Sequence, residues 1–586
     1  MAASTIIGPW RTILVSLCLI VGEMALPAGA QAQYNQTSFP VPPGIVVMPW
    51  ITTGADANTY ISSTPPTAAF LASAPADVVL TTAPTQYVRV YTLGVTAPNR
   101  AFIAGSNAIR GLTPEQIRNV LALPYLPTNV TLVEIPAGTC VMTGTGAPVN
   151  GNFPANPPAI PTPGPWGNGG AYQSYIIGTS SSPNCASPQY LPASDYINQQ
   201  PLGTYALAYL PNAGTGNTAA VATGNTAAVA RALDHATLPG LFTDMDGIYN
   251  TLDSLNFGNP VPLQQALAQL DGEVYADTAT AAITAGQLFL GAVRDQMHSP
   301  AIAIGKLLPW LTAVGGAGSE SGNGDSHDVA FGIGGIAGGF DYWIDPTLRV
   351  GVGLGYTRGG FVTNGIPGSG GYDSFSAAPY IRFAPSAWYI EGTVGYAYND
   401  ASVNRDIDFA SNYWSVARRA SGSPSGSGFL SRVETGYRHD LSAAVAVTPF
   451  VALQSIVFAQ NRFTESGASA ADLHVASNTT GSAQSILGTE IAYAMPVGLQ
   501  TPLQISGRLG WGHEFLATRR DSTAYLDGTP GAAFTVNGAP APRNVAVFGL
   551  GVSLSLGSGQ VFLRYAGSAG ASSSVQGGTL GARWTF

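Results

Sequence analysis

The chain has 586 residues, 45% of them hydrophobic and only 9% charged, with 72 Gly, 43 Pro and a net charge of −9. Soluble proteins average about 25% charged residues, so the composition argues against an ordinary cytosolic enzyme. Mean hydropathy of only +0.17, with no apolar run near the roughly 20 residues of a spanning helix beyond the N-terminus, excludes a helical membrane protein. The absence of a dense Lys/Arg cluster argues against nucleic acid as a partner.

Residues 1–32 read as a signal peptide. Arg11 precedes the apolar stretch Ile13 to Val21, and Ala28-Gly29-Ala30 or Ala30-Gln31-Ala32 supplies small residues for cleavage. Cleavage removes Cys18 and leaves Cys140 and Cys185, which in an exported protein are expected to form a disulfide.

Residues 33–240 are Pro-rich, with Pro-Pro at 42–43, 65–66 and 157–158 and a Pro/Gly stretch from Gly151 to Gly170. Short β-branched or alternating runs predict strands at Gly44 to Val47, Tyr87 to Leu93, Val130 to Ile135 and Ala171 to Ile177. Thr113-Pro114-Glu115-Gln116 signals a helix start, with Thr as N-cap and Pro at the first helical position, running to about Leu123. Trp166-Gly-Asn-Gly-Gly170 before the last strand is similar to a segment of some large secreted toxins; its plainer reading is a loop between two strands. An eight-residue sequence repeats directly, Thr215 to Ala222 and Thr223 to Ala230. Two copies are too few for a solenoid, and a short helix is expected from Ala227 to Leu233. The whole region is a small, mostly β module.

Residues 241–309 change to a helical period. Leu263, Ala266, Leu267, Leu270 and Val274, then Ile283, Leu288, Leu290 and Val293, recur near 3.6 spacing. A helix from about Tyr275 to Met297 would be about 35 Å long. Its Asp, Glu, Thr, Gln and Arg residues suit a polar pore lining and not lipid. Asp244-Met-Asp246-Gly247 resembles the start of a calcium loop without its later Glu, so an exposed turn is expected there.

From 310 to 586 the period is two. Val350, Val352, Leu354 and Tyr356 alternate with Gly351, Gly353 and Gly355. Trp388, Ile390, Val394, Tyr396 and Tyr398 alternate with Tyr389, Glu391, Thr393 and Ala397. One apolar face against one small or polar face is the lipid-out, lumen-in pattern of an outer-membrane barrel. About twelve such segments occur, an even number that closes the sheet and pairs every backbone group, leaving a pore that one helix can fill. Charged positions Glu391, Arg432, Glu434, Arg438, Glu490, Arg508, Glu514 and Arg564 fall on or near strands, as lumen lining or pairing groups, with Glu273 and Arg294 on the helical segment as partners.

The ordered set Asn225 to Asp234, Leu267-Ala-Gln-Leu-Asp-Gly-Glu-Val-Tyr-Ala276, Gly510-Trp-Gly-His-Glu-Phe515, Phe534-Thr-Val-Asn-Gly538, Leu563-Arg-Tyr-Ala-Gly567 and Arg583-Trp-Thr-Phe586 resembles the translocator unit of classical autotransporters, the type V self-secreting proteins of Gram-negative bacteria. The resemblance covers 263–586. It implies a twelve-stranded barrel around a lumenal helix, a passenger carried to the cell surface, and a terminal strand with Trp584 and Phe586 read by the barrel-assembly machinery. A passenger of this length, Pro-rich and without repeats, departs from the long β-helices of well-known members.

Catalytic patterns are sparse. Residues 34–234 hold no His, and 34–240 hold only the acids Asp56, Asp77, Glu115, Glu134, Asp195 and Asp234. A Ser-His-Asp hydrolase would have to use His235; no Gly-x-Ser-x-Gly, HExxH or P-loop occurs. No Asn-Asn pair is present for cleavage within the pore. The expectation is a non-enzymatic, cofactor-free, monomeric outer-membrane protein. Its partners are membrane lipid, the export and barrel-assembly machineries, and a host or cell-surface ligand. Two alternatives are a pore-forming protein with a periplasmic N-terminal region, and an enzymatic or toxin-like passenger.

Overall fold

A computed structural model describes residues 44–584 apart from 64–66, 150–165, 182, 187–188, 190, 192–195, 214–222, 241–242, 258, 300–303, 412–413, 496–502 and 557–558. The signal peptide, the three Pro-Pro pairs, the first copy of the octapeptide repeat and Phe586 lie outside the described residues.

The N-terminal module is built from two small antiparallel sheets. Strands β1 (Gly44–Val46), β2 (Ala76–Thr81), β3 (Thr85–Tyr91), β4 (Phe102–Ile103), β5 (Asn129–Ile135), β6 (Thr139–Thr145), β7 (Tyr172–Thr179) and β8 (Tyr196–Pro201) divide into the orders β1-β2-β6-β7-β4 and β3-β5-β8. Helices α1 (Gly54–Tyr60) and α2 (Pro114–Val120) pack beside them, each opened by a Thr capping box. Strands β2 and β6, which the sequence pattern did not single out, are buried on both faces, so their apolar residues do not alternate. Cys140 at the start of β6 is bonded to Cys185, with Cα atoms 6.0 Å apart.

Three helices follow: α3 (Gly224–His235), α4 (Asp244–Leu255) and α5 (Val261–Leu270). Thr223 of the second octapeptide copy caps α3. The expected exposed turn at Asp244–Gly247 is instead the first turn of α4. Thr243 is its N-cap, two acids sit in the first turn, and Asp246 is buried.

The long helix is broken where the sequence suggested continuity. α5 ends at Leu270, Gly272 takes a left-handed conformation (φ 69°), and a single 3-10 turn, Glu273–Tyr275, leads to α6 (Thr278–Met297). A left-handed residue between helices favours glycine, which carries no Cβ to clash.

Twelve antiparallel strands enclose α6: β9 (Leu307–Glu320), β10 (Asp328–Trp343), β11 (Leu348–Asn364), β12 (Gly368–Phe383), β13 (Trp388–Ala410), β14 (Ser425–Tyr437), β15 (Val445–Gln460), β16 (Asn478–Met495), β17 (Leu503–Glu514), β18 (Asn544–Leu556), β19 (Gly559–Gly570) and β20 (Ser573–Trp584). The last strand pairs with the first, Arg583 opposite Trp310 and Ser573 opposite Glu320, so the sheet closes. The expected twelve-stranded barrel is present. Its faces fall as the alternation predicts: Leu354 is 57% exposed on the outside, while a Cβ on Gly355 inside would lie 2.5 Å from Phe289 of α6. Outward Phe383 and Phe375 stand eight positions apart on β12, about 26 Å along the strand. At the usual strand tilt of about 40° this is about 20 Å of height, which fits within an apolar band of about 25 Å.

The two ends of the barrel differ. Connections 344–347, 384–387 and 438–444 lie at the end that holds the C-terminal residues. Connections 321–327, 461–477 and 515–543, and the outward extension of β13 with its partner strand Ser415–Gly422, lie at the other. Short turns face the periplasm and long loops the exterior in outer-membrane barrels.

Candidate functional site

The functional core is the lumen with α6 inside it, together with the mouth where the chain leaves the barrel. α6 carries five Ala together with Gln, Leu, Arg and Met, which favour helix and outweigh five β-branched residues. Its apolar stripe of Ile283, Phe289, Leu290 and Val293 packs on Trp310, Tyr380, Leu430 and Ile456 of the wall. The inward glycines of β11 make room for it: Gly353 and Gly355 face Val293 and Phe289. The helix leans on β9–β15, and beside it runs a cavity of about 590 Å³ along β16–β20, lined by Gln287, Arg294, Asp295, Gln484, Glu490 and Arg564, among others.

The lower half of α6 is held by ions. Arg294 Nη2 donates to Glu490 at 2.5 Å, and Arg564 Nη1 lies 2.8 Å from Asp295 as an ion pair. His298, just past the helix, lies 3.0 Å from Glu391, which also pairs with Arg382. Glu434 accepts from Arg432 at 2.7 Å, Arg508 at 2.8 Å and the Tyr389 hydroxyl at 3.0 Å. Buried Arg349 donates to the carbonyls of Gln296 (2.6 Å) and Met297 (2.9 Å), capping the helix C-terminus, and pairs with Asp341 at 2.8 Å. A cation favours this end of the helix dipole. Thus Arg294, Glu391 and Arg564 share one lumenal network. His298, Glu391 and Glu434 have donor spacing for a metal, but both carboxylates already neutralise guanidinium groups, which a cation would have to displace.

Glu273 is not part of that network, contrary to its expected place on the lumenal helix. The break at Gly272 sets it at the mouth, where it is fully buried. It accepts from the His327 backbone N–H at 2.5 Å, and it lies 2.8 Å from His327 Nδ1 and 2.9 Å from Asn225 Nδ2. Burial opposes a charge on His327, but the Glu273 hydrogen bond and charge hold the imidazole pKa above its ordinary value. Asn225 in turn exchanges two hydrogen bonds with the backbone of Asn537, at 2.7 and 2.8 Å. Tyr275 donates to Glu465 at 2.7 Å, and Glu465 pairs with Arg405 at 2.6 Å. The segments 225–234, 267–276 and 534–538, distant in sequence, therefore meet in one lock. Leu473, Val475, Phe534 and Val536 of the outer loops join Val229, Leu252, Leu267 and Val274 in a continuous apolar core across it.

The lock extends into the N-terminal module. Asp253 of α4 pairs with buried Arg110 and accepts from the Tyr209 hydroxyl at 2.7 Å, while Arg110 stacks 4.4 Å over the Tyr249 ring. Burial disfavours the Arg110 charge, and Asp253 together with Tyr209 and Tyr249 more than offsets it, raising the guanidinium pKa. Asp234 accepts the backbone N–H groups of Tyr209 (2.8 Å) and Leu210 (3.0 Å), so it is occupied as a structural anchor. Nothing in the sequence spacing marked Arg110 and Asp253, because a buried pair between distant segments has no local period.

Residues 309–566 match the protein family described as autotransporter beta-domain. The chain therefore carries an autotransporter beta-domain. The autotransporter barrel resides in the outer membrane of a Gram-negative bacterium and serves secretion of a passenger across it. A curated relative, an extracellular serine protease of Serratia marcescens, is 25% identical over 57% of this chain; the chain spans 32% of that relative's length. Among solved structures, the translocator domain of autotransporter NalP from Neisseria meningitidis is 19% identical, with a TM-score of 0.43 over 53% of this chain and 99% of that one. The beta domain of the Bordetella autotransporter BrkA is 17% identical, with a TM-score of 0.34 over 48% and 99%. Trp584 ends β20 of the autotransporter barrel opposite Gly559, beside the first strand, at the short-turn end.

Proposed function

We propose that this autotransporter displays residues 33–240 at the cell surface as a retained, non-enzymatic binding module. The direction of α6 carries the reading. Its first residues meet the long-loop end through Asp277 and Thr363, and its last meet the short-turn end through Gln296 and Arg349. With long loops outward, everything before α6 is outside the cell. Retention is supported by the apolar core and the buried ion pairs that fasten the linker helices to the mouth.

A hydrolase would need a base. His235, at the end of α3, is exposed, and its neighbour Asp234 is committed to two backbone amides. The serine protease named among the relatives is matched over a third of its length, which leaves its catalytic activity outside the argument. Fluorophosphonate labelling and casein zymography of the purified protein are expected to be blank; specific labelling would replace the binding reading with an enzymatic one.

Protease shaving of intact cells tests display itself. With an epitope tag inserted after Gln33 and a periplasmic marker as leakage control, the tag should be lost while the barrel survives. A tag protected until the outer membrane is broken would place the module in the periplasm and favour a porin-like protein.

A further inference from the structure

The N-terminal module carries a cleft of about 450 Å³ between α2 and the turn at 166–169, lined by Glu115, Arg118 and Asn119 of the helix, by Leu126, and by Trp166 and Asn168. We propose that this cleft binds a neutral saccharide; the proposal rests on the binding-module reading and gives it a ligand class.

The site is built on fixed backbone. α2 is capped at Thr113 by reciprocal bonds with Gln116, at 3.3 and 2.9 Å, and is pinned beneath by buried Ile117 and Leu121. That burial turns the 115, 118 and 119 positions toward the cleft. The opposite wall is welded to the helix end. Asn119 Oδ1 accepts the Asn168 N–H at 3.0 Å, the Asn119 carbonyl accepts the Gly169 N–H at 3.0 Å, and Trp166 N–H donates to the Val149 carbonyl at 2.8 Å. A Cβ on Gly167 would lie 2.3 Å from the Asn119 carbonyl oxygen, so only glycine allows this approach. A binding constellation held this way needs little ordering when a ligand arrives.

The lining chemistry selects the ligand. An indole and a leucine offer apolar surface to the C–H face of a pyranose ring, and Trp is suited to contacts that are apolar on one side and wet on the other. The two carboxamides, the carboxylate and the guanidinium supply planar donors and acceptors for neighbouring hydroxyls. One acid and one base balance, which disfavours a nucleotide or another strong anion. Hydrolysis of a glycosidic bond calls for two carboxyl groups flanking it, and Glu115 is the one carboxylate among the lining residues. The geometry therefore suits capture without cleavage.

The test uses the full-length protein, purified in detergent, on an array of immobilised neutral and sialylated oligosaccharides. Selective retention of neutral glycans is expected, weakened at least tenfold by Trp166→Ala and by Asn168→Ala, and unchanged by Trp50→Ala, which removes an exposed Trp elsewhere on the module. Glu115→Gln, a shape-preserving change, serves as a second probe that leaves folding intact; each variant is checked for the Cys140–Cys185 bond before use. No retention of any glycan, equal retention by Trp166→Ala, or retention of sialylated glycans alone overturns the proposal. Tag accessibility on intact cells is scored separately, so a failure of display is not confused with a failure of binding.

Discussion

Single side chains decide how the lumen and the mouth are held. Arg349 joins a helix C-terminus to a buried carboxylate, so Arg349→Ala strips two partners at once. It is expected to cost about 3–5 kcal/mol, the range for breaking a buried pair, seen as a lower temperature for loss of the compact band in heat-modifiability gels. His327 acts at the mouth with a definite sign. Its folded pKa is raised by Glu273, and that of nearby Asp271 is raised first by burial and then by Glu273. Both groups therefore contribute stability that is complete below their unfolded values and is lost as pH rises through the folded ones. For His327 the window opens above about pH 6.5. Amide protection factors in 224–275, corrected for the intrinsic exchange rate at each pH, should be larger at pH 5.5 than at pH 8.5, and His327→Phe should flatten that difference. An unchanged profile in the variant would remove His327 from the account.

At the scale of elements, α6 depends on glycines as much as on its own residues. Gly355→Phe places a ring where Phe289 sits, with overpacking expected to cost about 1–3 kcal/mol. The added change Phe289→Ala should recover most of the loss; if the double variant is no better, the pair is not in contact. The disulfide spans 45 positions, and the chain-entropy estimate for such a loop is about 4 kcal/mol. Cys140→Ser should lower the unfolding temperature of the module while leaving the barrel band in place.

Which elements could be read from sequence follows from how each is buried. Barrel strands face lipid on one side and lumen on the other, so period two survives in the sequence and the twelve strands, with their faces, are legible. β2 and β6 are covered on both faces and lose that period. α4 reads as a turn because Asp-Met-Asp-Gly supplies turn residues, whereas two of those acids serve a helix N-terminus. β13 runs on to Ala410, past the alternation read at 388–398, since Ile407 and Phe409 find a second apolar surface on the linker helices and not in lipid. In the lumenal site, Arg294, Glu391 and Arg564 are legible as charges on inward positions. Glu273, expected on the lumenal helix, sits instead in the turn at the mouth, because the left-handed Gly272 reorients the chain just before it.

For the molecule as a whole, module, linker helices and barrel mouth are one piece, the described residues from 44 to 584 falling in one compact unit. Asp253→Ala would leave Arg110 buried without its carboxylate, a loss of about 3–5 kcal/mol. Trypsin added to intact cells should then release the module by cutting after Arg231, the one Lys or Arg in 231–243, while the wild-type module stays attached. Release at equal rates from both proteins would show the anchor to lie elsewhere.

The hydrogen bonds between Asn225 and Asn537 join residues 312 positions apart, with nine of the twelve barrel strands between them. Contacts of such separation form late, because the loop they close must be gathered first. The mouth lock therefore needs the 515–543 loop in place beside the linker helices. A chain stalled before that loop arrives is expected to expose a loose, cuttable linker where the finished protein is fastened.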